Sequence, residues 1–226
     1  MPKRVYCVEY DGPNKKGPIN SMSATGIDSY RNCHMKWLNQ TYKRINVPDK
    51  SPALAVGGVG HTALAEYYLN GIVDLNLIDP VLRGVNMRNT DDERKKVLAI
   101  NLGALLENYF MFYPQGEFSG CEVEKEIPLV TNPLPHFSLH GYVDLWLPDK
   151  KTVVEHKFLD SLETAPLAYK TQKVVYFLAT GADHIIMNIL RKPATRPKRN
   201  ESLSDYKARV ADDISSRRQE FFRRIV

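Results

Sequence analysis

Apolar positions recur at helical spacing through the first half of the chain and at a spacing near two through much of the second. The opening YCVEYDGPNKKGP reads as a short strand running into a Gly/Pro-rich loop. INSMSATGIDSYRNCHMKWLN then offers Ser23 or Thr25 as the cap of a helix carrying Ile27, Tyr30, Met35, Trp37 and Leu38. In SPALAVGGVGHTALAEYYLNG, Ser51 before Pro52 is a helix start and Gly71 a stop, and the small apolar residues between predict a helix buried over much of its surface. DDERKKVLAINLGALLENYFMFY aligns Val97, Ile100, Leu102, Leu105, Leu106 and Tyr109 on one helical stripe, closed by Pro114.

The period then shortens. CEVEKEIPLV alternates near a period of two, and LHGYVDLWLPDKKTVVEHKF reads as two strands around a Pro-Asp-Lys-Lys turn. TAPLAYKTQKVVYFLATG is a helix starting at Thr164 or Ala165 and ending at Gly181, and HIIMNILR is a β-branched strand. The KPATRPKRN linker leads into a charged helix from about Ser204 to Arg224. Helices, a strand meander, then helix, strand and helix predict an α/β domain with a central mixed β-sheet flanked by helices. It is read as one domain over 1–226, with a helical part at about 20–115, sheet and helix at about 119–190, and a basic helical segment at about 191–226.

Composition adds limits rather than identity. At 43% hydrophobic and 25% charged the chain is an ordinary globular sequence. It lacks the roughly 18 to 20 consecutive apolar residues of a membrane helix, and MPKRVYCVEYDGP lacks the apolar core of a secretory signal, so no membrane association and a cytoplasmic location are expected. Cys7, Cys33 and Cys121 are too few and scattered for a disulfide framework or a zinc finger. The formal charge of +5 is uneven, with eleven Lys/Arg against five Asp/Glu beyond Leu190, which hints at a polyanionic partner bound through the tail.

The chemistry lies in the two strands around the turn. With a loop of either two residues (Asp149, Lys150) or four (Pro148 to Lys151), the register is the same: Leu147 faces Thr152, Leu145 faces Val154, Asp144 faces Glu155 and Tyr142 faces Lys157. Opposed like charges destabilise a sheet, so something must neutralise the two carboxylates. Lys157 lies on the same face as Glu155 and supplies one charge; a divalent cation would supply the rest, and hard oxygen ligands suit Mg²⁺ or Mn²⁺. The plainer alternative is a solvated salt-bridge face, against which the flanking TVV and LW read as buried strand.

The spacing D-x10-E-x-K after a glycine, GYVD…EHK, resembles the PD-(D/E)XK nuclease superfamily, in its RecB-like branch with phage-encoded and CRISPR-associated exonucleases. GGVGHT, with Gly57, Gly58 and His61, resembles that branch's G-x-x-H element, and TQKVVYF, with Gln172 and Tyr176, its Q-x-x-x-Y element. The matches run in order from about Ser23 to Leu190; Val143 stands where the superfamily name has proline. The resemblance implies His61, Asp144, Glu155 and the His156 backbone carbonyl as metal ligands for one or two Mg²⁺ or Mn²⁺ ions. It implies Lys157 as the residue that positions or deprotonates a water or steadies a nonbridging oxygen, with Gln172 and Tyr176 orienting the strand or the carboxylates. Glu122 or Glu124 could add a carboxylate. Some relatives hold an iron–sulfur cluster through one early and three late cysteines. Cys33 sits at the early place but no cysteine follows Cys121, so no cluster is expected, and Cys33 is read as a buried thiol in helix packing.

The implied function is a metal-dependent DNA exonuclease of phage-type recombination, repair or degradation, acting with DNA and with a single-strand-binding or recombination partner protein. The alternatives are an inactive nuclease fold serving as a DNA-binding or recombination partner, and an interaction protein with a fortuitous motif.

Overall fold

The structure, a computed structural model, describes residues 21–43, 50–130, 138–162 and 170–226. The expected first strand and the start of the helix at Thr164 or Ala165 lie outside these residues. The chain forms β1 (Ser21–Ser23), α1 (Ala24–Asn32), α2 (His34–Trp37), α3 (Pro52–Asn70), α4 (Ile78–Gly84), α5 (Asp92–Phe112), β2 (Glu122–Val130), β3 (Ser138–Leu147), β4 (Thr152–Leu159), α6 (Lys170–Thr180), β5 (His184–Arg191), α7 (Leu203–Ser216), α8 (Arg218–Phe221) and β6 (Phe222–Ile225). Among the described residues no helix is long and apolar enough to cross a membrane.

Local chemistry sets the helix ends. Ser23, Ser51, Asp91 and Ser202 each accept a backbone N–H of the first turn of their helix, and Gly71 ends α3 in the left-handed region at φ 77°. The predicted first helix breaks at Cys33, which is extended, exposed and caps α2 through its sulfur, so it is not the buried packing thiol expected. Helix α3 buries one face, through Ala55, Val56, Gly60, Ala63, Leu64, Tyr67 and Tyr68, rather than most of its surface; Leu54 and Leu69 face solvent.

The six strands form one mixed sheet in the order β1-β3-β4-β5-β6, with β2 also on β3. One face packs Leu145, Leu147, Val154, Phe158 and Leu190 under α3, α5 and α7; the other packs Val143, Val153, Ile185, Met187 and Ile189 with Val175 and Tyr176 of α6. Gly60 lets α3 approach β4: a Cβ there would lie 2.4 Å from the Phe158 ring. Gly60→Ala is therefore expected to cost about 1–3 kcal/mol, and less in a Phe158→Leu background, as measured by urea unfolding of both single variants and the double.

The tail departs from expectation. The helix ends at Ser216, and the last residues form a strand antiparallel to β5, because consecutive Phe221 and Phe222 are both buried and place the chain against the sheet. Six of its eleven cations lie in ion pairs: Arg191 and Arg217 with Glu220, Arg217 also with Asp213, Lys192 with Asp160, Lys207 with Glu107, Arg209 with Glu201, and Arg224 with Glu117; among the described residues Arg196, Lys198, Arg199, Arg218 and Arg223 have no ion-pair partner. Of the paired acids only Glu107, Glu117 and Asp160 lie outside the tail, so about half of the excess charge that points to a polyanion is offset within the protein and the rest stays available to one.

Candidate active site

Two edges of β3 are used unequally. Strand β2 pairs along one edge from Ser138 to Trp146, so β1 and β4 share the other: β1 beside Ser138–His140 and β4 beside Leu145–Leu147. Between them Gly141 to Asp144 face a gap in the sheet. The turn is the four-residue alternative, with Pro148–Lys150 in a 3₁₀ turn and Lys151 left-handed. The register at Leu145↔Val154 and Leu147↔Thr152 is as predicted.

The ladder stops there, so Asp144 and Glu155 are not backbone ladder partners, nor are Tyr142 and Lys157. Two features explain the break. The alternation of β3 slips at Asp144, since Val143 packs with α6 whereas Leu145 joins the core under α3 and α5. On β2 the residue at the same rung, Glu124, has a left-handed φ of 47°. The Asp144 carboxylate then replaces the missing rung by accepting the His156 N–H at 2.6 Å.

The gap lets groups from both faces of the sheet meet. From α3, His61 Nδ1 reaches Asp144 Oδ1 at 3.2 Å. From β4, Lys157 pairs with Glu155 Oε1. From α6, Gln172 Nε2 donates to the same oxygen at 2.8 Å and to the Tyr176 hydroxyl at 2.6 Å, and Tyr176 donates to the Tyr142 carbonyl at 2.7 Å, a carbonyl in the stretch that faces the gap. The helical spacing of four between Gln172 and Tyr176 puts both on one face, as expected. The six side chains named from the sequence therefore fall in two adjoining groups, His61 with Asp144 and Lys157, Gln172 and Tyr176 around Glu155, joined where Asp144 accepts the N–H of His156, the residue after Glu155. Glu122 pairs instead with Lys125, and Glu124 is exposed.

Electrostatics separates the two acids. Burial pushes Asp144 up, but the His61 hydrogen bond and charge, with His156, outweigh it and hold the carboxyl below its usual range. Burial and the Asp144 charge push Glu155 up to about 7, against Lys157. Burial lowers His61, but Asp144 more than compensates and leaves it raised. Glu155 Oε2 is buried without a hydrogen-bond partner.

Behind the gap lies a polar network that the sequence did not reveal. The His156 ring is fully buried, stacked on Tyr68 at 5.7 Å, and its Nδ1 is 2.9 Å from Asn188 Nδ2. Asn188 also donates to the Tyr109 hydroxyl, which bonds Tyr68, and accepts from Arg224 Nε. Because arginine only donates, Asn188 Oδ1 faces it, so His156 accepts at Nδ1 and carries its proton on Nε2. Burial drives this imidazole down to about 4. An asparagine inside the apolar run IIMNILR was the available signal.

The two shifts have opposed consequences for stability. Glu155 rises from 4.5 to about 7, so the folded state holds its proton more firmly and stability falls as pH climbs through that window. His156 falls from 6.5 to about 4, so the unfolded state takes the proton first and stability rises with pH between those values. His61 acts above 6.5 and Asp144 below 3.8, outside the overlap. In EDTA the wild type should therefore change little over the shared window, whereas Glu155→Gln should gain about 2–3 kcal/mol from pH ~4.5 to ~6.5. Urea unfolding across that range checks this; parallel curves would contradict it.

No protein-family model matches the chain, and no curated protein matches it in sequence. It is similar to a candidate exonuclease from Eubacterium rectale, 14% identical over 88% of this chain and 79% of that one, with a TM-score of 0.49. It is also similar to a phage-related exonuclease from Haemophilus somnus 129PT, 13% identical over 81% of this chain and 85% of that one, with a TM-score of 0.33. Neither likeness is close enough to assign chemistry, which has to come from the site.

Proposed function

We propose that the chain is a divalent-metal-dependent deoxyribonuclease of the PD-(D/E)XK type, RecB-like branch, acting as an exonuclease in phage-type DNA recombination, repair or degradation. The observation that carries this reading is the state of Glu155. One oxygen is held by Lys157 and Gln172, while the other is buried and bare beside the gap that Asp144 lines. An ordinary surface salt-bridge cluster would leave that oxygen to water.

The donor set fits Mg²⁺ or Mn²⁺: Asp144, Glu155, the His156 carbonyl and His61 offer mostly hard oxygen, and Glu155 Oε2 is the orphan a cation would satisfy. Among the described residues no three His, Cys, Asp or Glu side chains are grouped as a metal centre; Asp144 is paired with His61 and Glu155 with Lys157. When bound, one or two such ions would lower the pKa of a water and offset charge building on the phosphate. Lys157, fixed by Glu155, would orient that water, take its proton or steady a nonbridging oxygen. Gln172 would hold Glu155 Oε1 so that Oε2 stays turned to the gap, and Tyr176 would keep the β3 edge in place through the Tyr142 carbonyl.

The test is incubation of end-labelled linear single- and double-stranded DNA with Mg²⁺, Mn²⁺ or EDTA. Release of nucleotides from an end with either metal and none in EDTA is expected. Intact DNA in every arm would leave the alternative, a DNA-binding relative that does not cut.

A further inference from the structure

The cations of the tail that lack an ion pair are one basic surface; a second lies in the first helical part of the chain. From Ser29 to Lys43 the chain carries Arg31, Lys36 and Lys43 and neither aspartate nor glutamate. The chain turns at Cys33 between α1 and α2, and three rings gather at the corner: Tyr30 stacks on His34 at 4.3 Å and 28°, and meets Trp37 edge-on at 5.2 Å. Arg31, His34 and Lys36 are exposed, Tyr30 and Trp37 half-buried, and Met35 is 61% exposed beside them. Among the described residues Arg31 and Lys36 have no carboxylate at ion-pair distance.

This surface is tied to the candidate active site. Asp28, two residues before Tyr30, hydrogen-bonds Thr171 at 2.5 Å, and Thr171 adjoins Gln172, which holds Glu155. Strand β1, which feeds α1, pairs with β3 at Ser138–His140, just before the gap. The rings are therefore mounted on the same two elements, β3 and α6, that frame the acids.

We infer that the α1–α2 corner is a landing platform for single-stranded DNA, with unstacked bases on Tyr30, His34 and Trp37 and backbone phosphates on Arg31 and Lys36. Aromatic faces interleaved with cations hold a single strand without reading its sequence. A duplex keeps its bases stacked inside and offers such rings only its phosphates, so the rings discriminate in favour of the single strand. The inference deepens the nuclease reading by naming its substrate class.

The test is fluorescence anisotropy in EDTA with a labelled oligothymidylate of about twenty nucleotides and a blunt duplex of similar length. Tyr30→Ala/Trp37→Ala is expected to weaken oligothymidylate binding about tenfold or more and duplex binding less than about twofold. Arg31→Gln/Lys36→Gln, both exposed and so neutral for folding, should make the salt dependence on the single strand shallower by about 0.7 per cation removed. If the aromatic variant does not fold, the charge variant decides alone. Unchanged oligothymidylate affinity and salt slope, or an equal loss on duplex, would overturn the platform. Because no cutting occurs in EDTA, a chain that shows these changes yet never hydrolyses DNA upholds the platform and removes the hydrolytic reading.

Discussion

Glu155→Gln is expected to reduce metal-dependent DNA hydrolysis by about 10³-fold or more while making the metal-free protein more stable at pH ~8, by about 2–3 kcal/mol. Both effects come from one cause. The carboxyl is buried beside Asp144 and held up near 7, so at pH ~8 the fold carries a charge that its surroundings disfavour. Glutamine keeps the shape and an acceptor for Lys157 and Gln172 but removes that charge, and with it the means to bind a cation. A residue that lowers stability in its working state is expected of a site rather than a core. Activity assays with Mg²⁺ beside urea unfolding in EDTA measure the two halves, and a stable, fully active variant would remove Glu155 from the mechanism.

Lys157→Met should behave differently. Activity should fall by about 10² to 10⁴-fold, the range of a positioned proton-transfer group. Stability should also fall, because the side chain is only 13% exposed and its partner Glu155 4%. Breaking a buried pair leaves an uncompensated charge, typically about 3–5 kcal/mol. Glu155 can escape part of that cost by taking up a proton, so the loss should be larger at pH ~8 than at pH ~5.5. The Glu155→Gln/Lys157→Met double variant should recover stability at pH ~8 and stay inactive. Urea unfolding at the two pH values separates this from a plain packing defect, which would be independent of pH.

What the sequence disclosed and what it hid follow from the range of the interactions involved. The Leu145↔Val154 register was readable because a short turn fixes it, and the Gln172–Tyr176 face because helical geometry does. The break at Asp144 was not readable, since it depends on β1 and β4 sharing one edge of β3 and on the backbone of Glu124 across the sheet. Extrapolating the hairpin rung by rung therefore opposed the two acids as ladder partners, when the Asp144 side chain in fact takes the His156 N–H. Tyr109 and Asn188 are 79 residues apart in sequence, beyond any local pattern. The final strand reads as a continuation of the helix in sequence because four residues, Phe222–Ile225, are too short to show a period of two. Cys33 reads as a buried thiol only if one helix runs through it, and the break there leaves it exposed.

The central claim is that the gap in the sheet holds a divalent cation between Asp144 and Glu155. Isothermal calorimetric titration of Mn²⁺ into the wild type, Asp144→Asn, Glu155→Gln and His61→Ala tests it most directly, with thermal melts confirming that each variant is folded. The account predicts saturable binding of one or two ions to the wild type, loss of that binding in both acid variants, and weaker binding in His61→Ala with little change in metal-free melting temperature. Absence of Mn²⁺ binding in the wild type, or affinity unchanged in Asp144→Asn and Glu155→Gln, would contradict it.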